Sequence, residues 1–119
     1  MRIIIAGGRD FSDQPLMCEK VDFYLSHIRE KGVPIIIISG TARGADSEGE
    51  TYAVSRGIPI ERYPAEWDKY GKSAGYRRNE EMAKVADGLI AFWDGKSRGT
   101  KHMIDLAHQH NLEVKIVRY

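Results

Sequence analysis

The chain has one cysteine, Cys18, so no disulfide forms within it, and the fold rests on its apolar core in keeping with a reducing compartment. Four prolines and 12 glycines among 119 residues exclude collagen-like and low-complexity architectures. No apolar run approaches the ~20 residues that a membrane-spanning helix needs. Met1 leads directly into Arg2 and an apolar strand, with no pattern of a secretory leader, which places the expectation in the cytoplasm. Excess charge of one sign is also missing: 18 basic against 17 acidic residues give a formal net charge of +1, which excludes a surface coated in positive charge and leaves only a local basic site. What is present is 42% hydrophobic and 29% charged residues in a length suited to one ordinary domain, residues 1–119.

Apolar runs alternate with amphipathic stretches. Ile3-Ile4-Ile5-Ala6, Ile35-Ile36-Ile37-Ile38 and Leu89-Ile90-Ala91-Phe92-Trp93 lack polar alternation, as strands of a parallel sheet covered on both faces do. Ile58 to Tyr63 reads as a further strand, and Pro59 favours an edge position where a missing N–H costs least. Glu113 to Val117 is the last strand. Helices are expected from the Ser12-Asp13-Gln14-Pro15 cap to Gly32, over Ala45 to Arg56 with Gly57 as the stop, over Ala74 to Ala86, and over Thr100 to His110, where Asn111 suits a left-handed stop. Pro64 to Ser73, with Trp67 and Tyr70, loses periodicity and reads as a loop. The fold class is therefore α/β, an open and mostly parallel sheet of five strands with helices on both faces.

Such sheets bind ligands beyond the carboxyl ends of their strands, where the strand order reverses. Three strand ends mix glycine, hydroxyl and cation: Gly7-Gly8-Arg9-Asp10, then Ser39-Gly40-Thr41-Ala42-Arg43-Gly44-Ala45-Asp46, then Asp94-Gly95-Lys96-Ser97-Arg98-Gly99-Thr100. Glycine lets backbone N–H groups approach an anion, and a following helix adds a partial positive charge. Nine of the 18 basic residues, Arg9, Arg43, Lys69, Lys72, Arg77, Arg78, Lys96, Arg98 and Lys101, fall in or beside these loops and the Pro64–Ser73 segment. The plain alternative is that glycine and polar residues merely end strands; three such loops on one rim favour a phosphate cradle. Gly71-Lys72-Ser73 and Gly95-Lys96-Ser97 imitate a P-loop, but Glu66 and Ile90 stand where its first glycine belongs. The dinucleotide fingerprint is missing after Gly7-Gly8.

The run Ser39 to Asp46, with Tyr63-Pro64, Tyr76-Arg77-Arg78-Asn79, Ala86-Asp87 and Ser97-Arg98-Gly99-Thr100, resembles the SLOG superfamily, which includes the DNA-processing protein DprA and the LOG phosphoribohydrolases. With Gly7-Gly8-Arg9-Asp10-Phe11 at the start, the resemblance is nearest to the small YspA or cpYpsA-related SLOG branch of bacteria and phages. It implies a Rossmann-like sheet of order 3-2-1-4-5, a nucleotide or nucleotide-derived ligand across the three loops, and a homo-oligomer. No cofactor is required by the sequence, although a phosphate ligand could bring Mg²⁺ with it. LOG-type hydrolysis of a nucleotide N-glycosidic bond uses an arginine, for which Arg77 or Arg78 is available, and a glutamate whose position here is Met103. A thioether neither ionises nor relays a proton. Binding, by a sensor or sequestering protein, is thus expected ahead of turnover, with a nucleotide hydrolase as the alternative.

The DprA resemblance implies single-stranded DNA as a further alternative partner, bound through the loops matching Ser39 to Gly44 and Arg77 to Asn79, with Trp67, Tyr70 and Tyr76 as stacking platforms unless they pack against the sheet edge. Trp93 suits the core and a base equally. Asp10, Asp46, Asp94, Glu80 and Glu81 are the carboxylates near the rim; Asp46 and Asp94 suit helix capping or ribose, while Glu80 and Glu81 suit a solvated face. His108 and His110 point about 200° apart on a helix and cannot close on one metal, and His27 and His102 are isolated, so no structural metal is expected. Neither Ser97 nor Cys18 has a base partner that would make it a nucleophile.

Overall fold

The computed structural model describes residues 1–119. Five strands, β1 (Arg2–Gly7), β2 (Ile36–Ser39), β3 (Ile60–Arg62), β4 (Gly88–Trp93) and β5 (Glu113–Arg118), form one parallel sheet in the order β3-β2-β1-β4-β5. Helices α1 (Gln14–Glu30), α2 (Ala45–Ser55), α3 (Trp67–Tyr70), α4 (Ala74–Val85) and α5 (Arg98–Gln109) connect them. None is long and apolar enough to cross a membrane.

The isoleucine runs follow from a sheet covered on both sides. Side chains alternate across a strand. Ile3 and Ile5 accordingly join a core with Met17, Val21 and Leu25 of α1 and Tyr52 and Ala53 of α2. Ile4 and Ala6 join a second core with Met82 and Ala83 of α4 and Met103, Ile104 and Ala107 of α5. The register continues each layer from strand to strand: Ile4 lies beside Ile38 on one side and Leu89 on the other. Each fully buried isoleucine contributes roughly 1.5–3 kcal/mol of apolar burial, so a polar residue on either face of β1 would cost stability.

The helix boundaries have local causes. Asp13 caps α1 by accepting from Leu16 N at 3.0 Å, with Pro15 in the first turn. Asn111 adopts φ 59° after α5, as its side chain permits. β3 is an edge strand, and Pro59 precedes it, accepting from Ile37 N through its carbonyl at 2.9 Å. The segment 64–73, read from sequence as a loop, instead holds α3 and a 3₁₀ turn, Gly71–Ser73. Both elements are too short to show a helical period, which is why the sequence pattern misses them.

Candidate functional site

The strand order reverses between β1 and β4: from β1 the strands progress through β2 to the β3 edge, and β4 returns to the other side of β1, still parallel to it. The loops leaving β1 and β4 therefore diverge, and a cleft of about 590 Å³ opens at their carboxyl ends. Gly7, Gly8, Arg9 and Asp10 form one wall, Arg43 and Asp46 a second, Arg78 and Asn79 of α4 a third, and Asp94, Ser97, Gly99 and Thr100 the fourth. These twelve residues come from all four segments singled out in the sequence. Ala42, within the Ser39–Asp46 run, and Met103, at the position matched to the LOG glutamate, also line it, and Ala6 and Met82, which were not anticipated as site residues, complete the lining. Met82 had a signal, since it falls four residues after Arg78 on the same helical face.

The β1 and β2 loops are stitched together through one carbonyl. Gly8 O accepts from Phe11 N at 3.2 Å and from Ala45 N, at the start of α2, at 3.1 Å. Gly44 makes this approach possible: its φ is 81°, and a Cβ there would overlap the Gly8 carbonyl and stand 2.6 Å from Arg9 Cα. Having no side chain, Gly44 leaves α2 without a side-chain cap. Beneath the β2 loop, Ser39 is buried; its Oγ donates to Glu50 Oε2 at 2.6 Å and accepts from Thr41 N at 3.1 Å. Glu50 is held in turn by Arg62 Nε at 2.9 Å. Ser39 thus supports the loop from below rather than facing the cleft. Thr41 takes φ 64°, a left-handed conformation uncommon for a β-branched residue.

Arg78 reaches under this loop. One guanidinium nitrogen donates to Gly40 O and Nε donates to Asn79 Oδ1 at 2.9 Å, both neutral acceptors. Burial lowers its pKa, with Asp46 opposing the effect. Asp46 is buried, accepts from Ala42 N through Oδ2 at 3.1 Å, and has its pKa pushed up to about 6 by burial. The ion pairs of the molecule involve Arg2, Arg56, Arg62, Lys69, Lys101, Lys115 and His27; Arg9, Arg43 and Arg78 have none. Three guanidinium groups consequently face one cleft without a paired carboxylate.

The β4 loop is organised differently. Asp94 Oδ1 accepts from Lys96 N and Ser97 N, both at 2.8 Å, and these bonds, that from Ser97 first, hold its pKa below the usual range. Ser97 caps α5, its Oγ accepting from Thr100 N at 3.4 Å and from Thr100 Oγ1 at 3.1 Å. Gly95, Lys96 and Arg98 turn away from the cleft into a separate groove with Tyr76, Lys101 and His102. Trp93 also borders that groove, half-buried, with its indole N–H donating to Ser97 O at 3.1 Å. Arg77 is exposed, stacked 4.3 Å over the Tyr70 ring. Glu80 and Glu81 are exposed on α4 and do not line the cleft.

Gly40 and Thr41 line a second, open compartment of about 780 Å³ next to the cleft, bordered also by Pro64, Ala65 and Trp67. Asp10 was foreseen, but not its partner: Tyr119 Oη donates to Asp10 Oδ1 at 2.6 Å from 109 residues away. No sequence signal marks that pair.

The chain resembles proteins already known. It is 29% identical over 119 residues to "Gene 61 protein" of Mycobacterium phage D29, covering 95% of this chain and 93% of that protein. No solved structure matches it. The model of the YspA, cpYpsA-related SLOG family matches residues 1–70, which carry the β1 and β2 loops, Arg9, Arg43 and Trp67. With the match extending over more than half its length, the chain belongs to the YspA, cpYpsA-related SLOG family.

Proposed function

We propose that the chain binds a nucleotide or nucleotide-derived ligand at the β1/β4 cleft, through phosphate and ribose, and acts as a sensor or sequestering protein. The observation that carries this reading is the set of Arg9, Arg43 and Arg78, which line the cleft without an ion pair beside the glycine-rich starts of the β1 and β2 loops. A partly buried guanidinium that meets only neutral acceptors gains most from an anion that accepts in the fork geometry phosphate offers. Asp10 and Asp46 on the same walls offer acceptors to ribose hydroxyls. Family membership agrees with a nucleotide-related role.

The lining of α5 supports binding ahead of turnover. Met103, at the position of the LOG glutamate, is buried and lines the cleft with a thioether that has no proton to give or take. Incubation with AMP is expected to release neither adenine nor phosphate; release of either would restore the hydrolase reading.

The test is a thermal-shift comparison of AMP with a short single-stranded oligonucleotide at two salt concentrations. At a hundred times its Kd, a site ligand adds about 2.7 kcal/mol, on the order of ten degrees for a chain of this size. A shift with AMP that persists in salt supports the proposal. A shift with the oligonucleotide alone, erased by salt, would transfer it to single-strand binding.

A further inference from the structure

We infer that the compartment beside Trp67 receives the base of the bound nucleotide, with Trp67 as its stacking face. This deepens the proposed function and rests on it. The compartment and the cleft share Arg9, Ala42, Arg43 and Arg78, so the cations stand at the junction of the two spaces. A phosphate held at that junction leaves the rest of the ligand to extend either into the cleft or toward Trp67.

The two directions differ in chemistry. Every carboxylate of the site, Asp10, Asp46 and Asp94, lines the cleft, and none lines the Trp67 compartment. Apart from the shared residues, that compartment presents Gly40, Thr41, Pro64, Ala65 and Trp67. A sugar alone would find few acceptors for its hydroxyls there, whereas a flat aromatic ring finds an indole and small apolar neighbours.

Trp67 itself is available. It is 51% exposed on the four-residue helix α3, and its indole N–H makes no hydrogen bond within the protein. Its ring edge rests on Gly75 of α4, where a Cβ would stand 3.4 Å from Trp67 Cη2. The other tryptophan, Trp93, is half-buried with its indole N–H committed to Ser97 O. Trp67 therefore rests against α4 and leaves half of its surface free.

The experiment compares AMP with ribose 5-phosphate, which keeps the phosphate and sugar but lacks the base. In Trp93→Phe protein, where Trp67 is the sole tryptophan, AMP is expected to quench the indole fluorescence and ribose 5-phosphate is not. Calorimetry of Trp67→Ala is expected to show AMP affinity reduced about tenfold, in the range of base stacking on an aromatic side chain, with ribose 5-phosphate affinity unchanged. Trp67→Phe keeps a ring and is expected to recover most of the AMP affinity, which separates stacking from a folding defect. Unchanged AMP affinity in Trp67→Ala, while Arg43→Ala weakens both ligands, would overturn the base subsite and leave the proposed function standing. Failure of the wild-type protein to bind either compound would overturn both.

Discussion

Arg78 and Asp46 face each other across Gly40 without forming an ion pair: a Cβ on Gly40 would lie 2.8 Å from Arg78 Nη1 and 2.8 Å from Asp46 Oδ2. Each binds the β2 loop instead, Arg78 through the Gly40 carbonyl and Asp46 through the Ala42 N–H. The glycine keeps the space between two opposite charges open, and the loop is held at both ends. An arginine so placed is fixed in position by neutral groups, and its charge is left for a ligand.

Asp46 makes stability depend on pH. Its folded pKa, about 6, exceeds its ordinary value of 3.8, so between those values the folded chain holds a proton that the unfolded chain releases. The contribution of Asp46 to stability therefore falls as pH rises through that window and is least favourable above it. Asp46→Asn, whose amide oxygen still accepts from Ala42 N, is expected to be more stable than wild type by on the order of 2 kcal/mol near pH 8, with the difference closing near pH 4. Urea unfolding at the two pH values checks this, and a difference independent of pH would refute it.

Gly44→Ala places a Cβ against the Gly8 carbonyl and Arg9 Cα at a backbone φ of 81°. The expected cost is about 2 kcal/mol or more, because no flexible side chain is at hand to yield. Equal midpoints of thermal unfolding for the variant and wild type would show that the two loops are not locked together.

Tyr52 is buried between α1 and α2, with its hydroxyl donating to Asp22 Oδ1 at 2.6 Å. Asp22 is also gripped by Arg56 at 3.1 and 2.8 Å, and the Arg56 bonds are the first cause of its lowered pKa. Tyr52→Phe removes a part-buried hydrogen bond to a carboxylate, together with a longer one at 3.4 Å that the hydroxyl accepts from Arg29 Nη2, and is expected to cost about 1–2 kcal/mol. The pair lies away from the cleft, so AMP affinity should not change, and calorimetry on the variant checks that separation.

Thr41→Asn relieves a β-branched residue held at φ 64° and is expected to stabilise the protein by about 0.5–1 kcal/mol. A lower unfolding midpoint would mean that the threonine side chain makes a contact that compensates for its backbone.

The sheet was legible because a strand buried on both faces has to be apolar throughout, and Ile3 to Ala6, Ile35 to Ile38 and Leu89 to Trp93 are. The rim was legible because the residues that end those strands are also the ones that approach anions. What the pattern could not supply was direction. Lys96 and Arg98 alternate in sequence with Ser97 and Gly99 where the β4 loop runs into α5, yet they line another groove. Arg77 and Arg78 are neighbours in sequence, and the helical rotation between them puts one over Tyr70 and the other under the β2 loop. The Tyr119 bond to Asp10 and the left-handed Thr41 depend on tertiary packing and leave no local trace.

The central claim is that unpaired arginines at the β1/β4 cleft bind the phosphate of a nucleotide, and Arg43, exposed and free of hydrogen bonds within the protein, tests it with least risk to folding. Calorimetric titration of AMP into wild-type and Arg43→Ala protein at matched salt measures it directly. The account predicts saturable binding to wild type and a loss of affinity of at least about tenfold in the variant, the scale of one charge-assisted hydrogen bond. Equal affinity in the two proteins would contradict it.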